Sequence, residues 1–79
     1  MFNTDSIQTE KNGSCSCSSL CRSRAAADKI RSGFTGPVRQ INMFADLYCD
    51  KNKLIIEAPN QEILLKIMDI LNHCVDWEE

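Results

Sequence analysis

Residues 38–60 read VRQINMFADLYCDKNKLIIEAPN, and whether this stretch is strand or helix decides the fold. Over Val38–Cys49 the side chains alternate. Ile41, Met43, Ala45, Leu47 and Cys49 fall on one face, and Gln40, Asn42, Phe44, Asp46 and Tyr48 on the other. A period of two marks a half-buried strand. A helical stripe of Val38, Ile41, Phe44, Ala45 and Tyr48 competes, with Pro37 suited to a first helical position. The next residues settle the choice: Asp50-Lys51-Asn52-Lys53 is turn-like, and Leu54-Ile55-Ile56-Glu57-Ala58 is rich in β-branched residues. A lone strand leaves its backbone groups unpaired, whereas two adjacent strands pair with each other. Residues 38–58 are therefore predicted to form a β-hairpin.

Pro59 cannot continue the ladder, and Asn60 is a good helix cap with Glu62 in the first turn. A helix is predicted over 61–75. Ile63, Leu64, Ile67, Met68, Ile70, Leu71, Cys74 and Val75 fill an arc of roughly 160° at about 100° per residue. An ordinary amphipathic face needs little more than about 100°, so this helix is expected to touch a second surface besides the hairpin. Towards the N-terminus, Ser19 is a candidate cap for a helix over 20–32, built on Ala25-Ala26-Ala27 and a thin apolar face of Leu20, Ala27, Ile30 and Phe34. Gly33 and the pair Gly36-Pro37 are expected to end it. Residues 1–19, rich in Ser, Asn and Thr, are read as a flexible head with room for a short strand around Ser6–Thr9. The fold class is α+β, a small single domain of order α-β-β-α over residues 20–79.

A chain of 79 residues has room for one marginal core. Two strands alone are barely stable in water, so either helical cover or a homodimer pairing edge strands must complete it. The net charge of −2 conceals a polarity. Residues 1–40 carry Asp5, Glu10 and Asp28 against Lys11, Arg22, Arg24, Lys29, Arg31 and Arg39; residues 41–79 carry eight acids against Lys51, Lys53 and Lys66. No apolar run is long enough for a transmembrane helix, so no membrane partner is expected. Met-Phe-Asn-Thr-Asp-Ser-Ile lacks the basic and apolar regions of a signal peptide, so the expected compartment is cytoplasmic, the chain's own cell or a host's.

The candidate chemistry is sparse. Cys15-x-Cys17-x3-Cys21 lies in a polar tract and offers weak metal candidates: the first spacing is too tight for a zinc knuckle, and a second clamp is missing. Cys15 and Cys17 are expected to be exposed thiols, while Cys49 and Cys74 are expected to be small buried hydrophobes. His73, the one histidine, adjoins Cys74 on a helix and points about 100° away from it, so no nucleophile–base pair forms. Neither a catalytic residue, a cofactor nor a small-molecule substrate is expected. The basic residues Arg22, Arg24, Lys29, Arg31 and Arg39 form a candidate phosphate-contacting stripe, opposed by Asp28 and by a pI near 5.3. Phe44 and Tyr48 on the polar face of the first strand, Leu65 on the polar side of the last helix, and Asp69, Asp76 and Trp77 at its end are candidate partner contacts.

The order hairpin then helix resembles the bacterial DNA-damage-inducible protein I family over residues 53–77. Leu54-Ile55-Ile56, Ile67-x-Asp69-Ile70-Leu71 and a terminal Asp76-Trp77 carry the likeness. It implies a small cytosolic modulator of a recombinase filament, with an acidic last helix. The family's dense acidic ridge is missing here, and the Ser/Cys-rich N-terminus stands where a clear first strand would be. The residues themselves point to a small non-enzymatic regulatory or inhibitory protein, such as a phage or accessory factor, that binds another protein. The alternatives are a nucleic-acid binder using 22–39 and a metal or redox module using the N-terminal cysteines.

Overall fold

The structure, a computed structural model, describes residues 1–75 and Trp77. A single turn of 3₁₀ helix at Thr4–Ser6 leads into β1 (Gln8–Thr9) and β2 (Cys15–Leu20). Then come α1 (Arg24–Ile41), β3 (Asp46–Asp50), β4 (Lys53–Ala58) and α2 (Gln61–Cys74). The four strands make one antiparallel sheet in the order β1-β2-β4-β3. β2 and β3 run parallel to each other with β4 between them, so β2-α1-β3 is a split βαβ unit. Both helices cover one face, and the other face is open. The α+β class holds, with two helices and a four-stranded sheet.

The expected flexible head is the main correction. Residues 15–20 form a central strand that pairs along its whole length with β4, Cys15 opposite Ala58 through Leu20 opposite Lys53. The physical reason lies in the alternation itself. Cys15, Cys17 and Ser19 point inward and are buried, whereas Ser16, Ser18 and Leu20 point outward. Cysteine is among the most buried residue types and packs as a small hydrophobe. Its narrow side chain lets α2 sit close over β2 and β4. The N-terminal residues lock onto this arrangement. Phe2 is buried, and the Asn72 side chain pairs with its backbone, accepting from Phe2 N–H at 2.9 Å and donating to Phe2 C=O at 2.9 Å.

The hairpin forms over 46–58, shorter than expected, because the chain from Val38 to Ile41 belongs to α1. Its alternation keeps the predicted phase, with Ala45 and Leu47 buried. Asp50 and Lys53 close the turn, where Lys51 takes the left-handed backbone region at φ 57°. The Asn52 carbonyl there accepts from Cys21 N–H at 2.7 Å and ties the turn to the end of β2.

α1 starts at Ser23, not Ser19: the Ser23 hydroxyl accepts from Ala26 N–H at 3.1 Å. It continues through Gly33, Gly36 and Pro37 to Asn42. A proline inside a helix removes one backbone bond and crowds the carbonyl four residues back, here that of Gly33, at a cost of about 3 kcal/mol. Burial offsets it. Ala27, Ile30, Phe34, Val38 and Ile41 recur at helical spacing, and Ala27 and Val38 are fully inside. Fully burying a valine-sized side chain contributes about 1.5–3 kcal/mol, so continuing past Pro37 to bury Val38 and half-bury Ile41 gains about what the proline costs. Glycine before Pro37 also avoids the clash that a Cβ would meet there.

α2 is capped by Asn60, whose side chain accepts from Ile63 N–H at 2.9 Å. Leu64, Ile67, Met68 and Leu71 insert against Leu54, Ile56 and Cys17 of the sheet. Of the rest of the wide apolar arc, Ile63 and Val75 are half-buried against the core, while Ile70 and Cys74 are exposed, Cys74 beside α1.

An added Cβ at Gly33 meets nothing within 4 Å. Gly33→Ala is therefore expected to raise stability by about 0.5–1 kcal/mol, read as a higher urea midpoint with an unchanged slope. A lower midpoint would mean that α1 does not run through this position.

Candidate functional site

The open face of the sheet brings together residues that the sequence leaves far apart. Three cross-strand rows line it: Gln8-Ser16-Glu57-Asp46, Ser18-Ile55-Tyr48 and Leu20-Lys53-Asp50. Tyr48 donates its hydroxyl to Glu57 Oε1 at 2.9 Å and so fixes that carboxylate. Burial, the bond to Glu57 and the nearby carboxylates of Asp46 and Asp50 all push the Tyr48 phenol up from its ordinary value. Asp46 accepts from Leu47 N–H at 2.9 Å and pairs with Arg39 at 3.5 Å, covering part of the free edge of β3.

Phe44 stands at one end of this face, and Asn42 puts it there. The Asn42 side chain accepts from Phe44 N–H at 2.8 Å, and its carbonyl accepts from Ala45 N–H at 3.0 Å. This tight turn sends Ala45 into the core and Phe44 outward. Phe44 is 75% exposed and Met43 78%. Neither Phe44 nor Tyr48 packs beneath α1, which covers the opposite face. Beside Phe44 lies a recess of about 230 Å³, lined by Glu10, Ser14, Ser16, Glu57 and Pro59. The β1–β2 hairpin, the end of β4 and the α1–β3 turn converge to form it.

The remaining candidate partner contacts lie elsewhere. Leu65 and Asp69 are on the solvent side of α2, one layer away from the open sheet face; Asp69 sits 3.3 Å from His73. Trp77 is partly buried, its ring edge-on to Phe2 with centroids 5.4 Å apart, and it serves the core instead of a surface. Its indole N–H has no acceptor among the described residues. Asp76 lies outside the described residues.

The basic set is divided. Arg24 and Arg31 flank Asp28, and Arg31 pairs with Asp28 at 3.0 Å. Arg39 turns to Asp46, Lys29 borders a groove between the two helices, and Arg22 is exposed ahead of α1. Lys29 thus stands apart from Arg24, Arg31 and Arg39, which lie on the flank of α1 beside β3. The groove itself holds about 560 Å³ between Ala26, Ile30, Phe34, Cys74 and Val75.

The expectations for Cys15, Cys17 and Cys74 invert, while Cys49 packs half-buried against the core. Cys15, Cys17 and Cys21 are buried, Cys49 is half-buried and Cys74 is exposed. Cys17 Sγ lies 3.4 Å from the Asn3 carbonyl, and Cys15 Sγ lies 3.6 Å from that of Gly13. Among the described residues no group of three or more His, Cys, Asp or Glu side chains converges to hold a metal ion. No helix among them is long and apolar enough to cross a membrane.

Met43, Glu10, Glu57, Ser14, Ser16 and Pro59 are site residues that sequence reasoning passed over. Glu57 and Ser16 carried a signal, since each alternates out of its strand towards the face of Tyr48. No protein-family model matches the chain, and searches of curated proteins and of solved structures find no match.

Burial pushes the Cys17 and Cys21 thiols up from 9.0. With a folded value above the unfolded one, their contribution is intact below the unfolded value and is lost as pH rises through the folded one. Stability is therefore expected to decline above pH 9.0, and less steeply in Cys17→Ala and Cys21→Ala. Under native conditions an aromatic disulfide reagent should label Cys74 first and reach Cys15, Cys17 and Cys21 only on unfolding. Fast native labelling of Cys15 and Cys17 would return β2 to an exposed tail.

Proposed function

We propose that the chain is a small non-enzymatic regulatory or inhibitory protein that acts by binding another protein through the open face of its sheet. The observation that carries this reading is the exposure of Phe44 on a turn built to present it. An aromatic side chain in water, beside a second exposed apolar residue, Met43, and within a face that also displays Tyr48, has the composition of an interface anchor. The turn is secured by two hydrogen bonds to Asn42, so the anchor is held in place before a partner arrives.

Electrostatics favours a protein over a nucleic acid on this face. With Asp46 paired to Arg39, Asp50 and Glu57 still outnumber Lys53 there, and carboxylates repel a phosphate backbone. The basic residues of α1 lie on the other layer, with Arg31 and Arg39 already paired to carboxylates. His73 bonds to its own helix through the Asp69 carbonyl at 2.7 Å, an arrangement that suits a helix end better than a catalytic base.

The test is capture from the native host with wild-type and Phe44→Ala baits. Phe44 makes little of the core, so the variant should melt with the wild type. It should lose a stoichiometric protein partner by about tenfold or more, the scale of an interface anchor. Retention of the same partner by Phe44→Ala would contradict this reading, as would salt-dependent recovery of nucleic acid alone.

A further inference from the structure

We propose that the recess beside Phe44 receives an arginine side chain from an extended segment of the partner protein, an inference that deepens the protein-binding reading and rests on it. The recess has two apolar walls, the Phe44 ring and Pro59, and two carboxylates, Glu10 and Glu57. The hydroxyls of Ser14 and Ser16 complete its rim. No lysine or arginine lines it, and among the described residues neither Glu10 nor Glu57 lies within ion-pair distance of a cation. The site therefore presents negative charge and an exposed aromatic surface, and a ligand must bring the positive charge.

Guanidinium suits this arrangement better than ammonium. It is planar, more weakly hydrated, stacks on an aromatic face and donates through a rigid fork to a carboxylate. Tyr48 holds Glu57 Oε1 at 2.9 Å, so the carboxylate is oriented before the ligand arrives. Beyond the recess the same face continues as a shallow trough past Ser6, Gln8, Ser18, Ile55 and Lys53, which offers hydroxyl, amide and ammonium groups to an extended backbone. The acids exclude phosphate, which sets a polypeptide apart from a nucleic acid here.

The experiment is a titration of the full chain, labelled with ¹⁵N, with the blocked peptide acetyl-Gly-Ser-Arg-Ser-Gly-amide. The same peptide carrying lysine, or citrulline as the uncharged isostere of arginine, serves for comparison. Saturable amide shifts centred on Glu10, Ser14, Ser16, Phe44 and Glu57 are expected for arginine, weaker ones for lysine and none for citrulline. Glu57→Gln and Glu10→Gln, both at exposed positions that leave the fold intact, should each weaken binding by about threefold, the scale of an exposed ion pair. Tyr48→Phe should also weaken it by freeing Glu57. Equal shifts with citrulline, shifts centred elsewhere, no saturable shift, or dilution-dependent shifts at these amides without peptide (a second copy in the recess) would each overturn the proposal. Capture of the natural partner separates this inference from the reading beneath it. A partner lost with Phe44→Ala but kept by the Glu10→Gln/Glu57→Gln double variant leaves protein binding standing and removes the arginine. A partner kept by both removes both.

Discussion

Six consecutive cross-strand pairs between β2 and β4, from Cys15 opposite Ala58 to Leu20 opposite Lys53, hold the rest of the molecule in place. Without them β4 would have only the five-residue β3 as a partner, and a two-stranded hairpin is marginal in water. With them β4 becomes central and its inward side chains Leu54, Ile56 and Ala58 are sealed. The pairing also fixes where the helices go. Cys15, Cys17 and Ser19 join Leu54 and Ile56 to make one inner face, and Leu64, Ile67, Met68 and Leu71 of α2 close over it. The N-terminal residues are placed in turn, because Phe2 can reach Asn72 and Trp77 only if β2 lies beneath α2.

How much of this was legible depends on which physical signal each segment carries. The α2 helix announces itself through period, length and the Asn60 cap, all local properties. The β4 strand does so through Leu54-Ile55-Ile56. The β3 strand is visible in phase but not in length, because Val38 and Ile41 lie in a stretch where alternating and helical patterns overlap. Their true partners, Ala27, Ile30 and Phe34, become apparent only when the helix is allowed to pass Pro37, a tertiary gain that offsets a local penalty. The β2 strand was legible in principle. Ser-Cys-Ser-Cys-Ser-Ser alternates as a strand does once cysteine is counted as apolar; weighed as a polar low-complexity tract, it looks like a tail.

The candidate site was less legible, for a different reason. Phe44 and Tyr48 were visible as aromatics on a polar face, but the recess is assembled from residues 10, 14, 16, 44, 57 and 59, which only the sheet order makes neighbours. Of the charge polarity seen in the sequence, the fold makes a spatial one. Most of the cations sit on or beside α1, with Arg31 held by Asp28 and Arg39 by Asp46, while the open sheet face keeps an excess of carboxylates around its exposed aromatics. The exposed remainder of the α2 arc, Ile70 and Cys74, lies on the other layer and takes no part in that face.

The central claim is that the Ser/Cys tract is an interior strand. Native-state amide hydrogen exchange tests it most directly, since amides opened only by global unfolding exchange with the full stability of the domain. The β2 amides bonded to β4 should exchange as slowly as those of Leu64, Ile67 and Leu71 in α2. Exchange of residues 15–20 at the rate of an unstructured chain, with α2 still protected, would contradict the account.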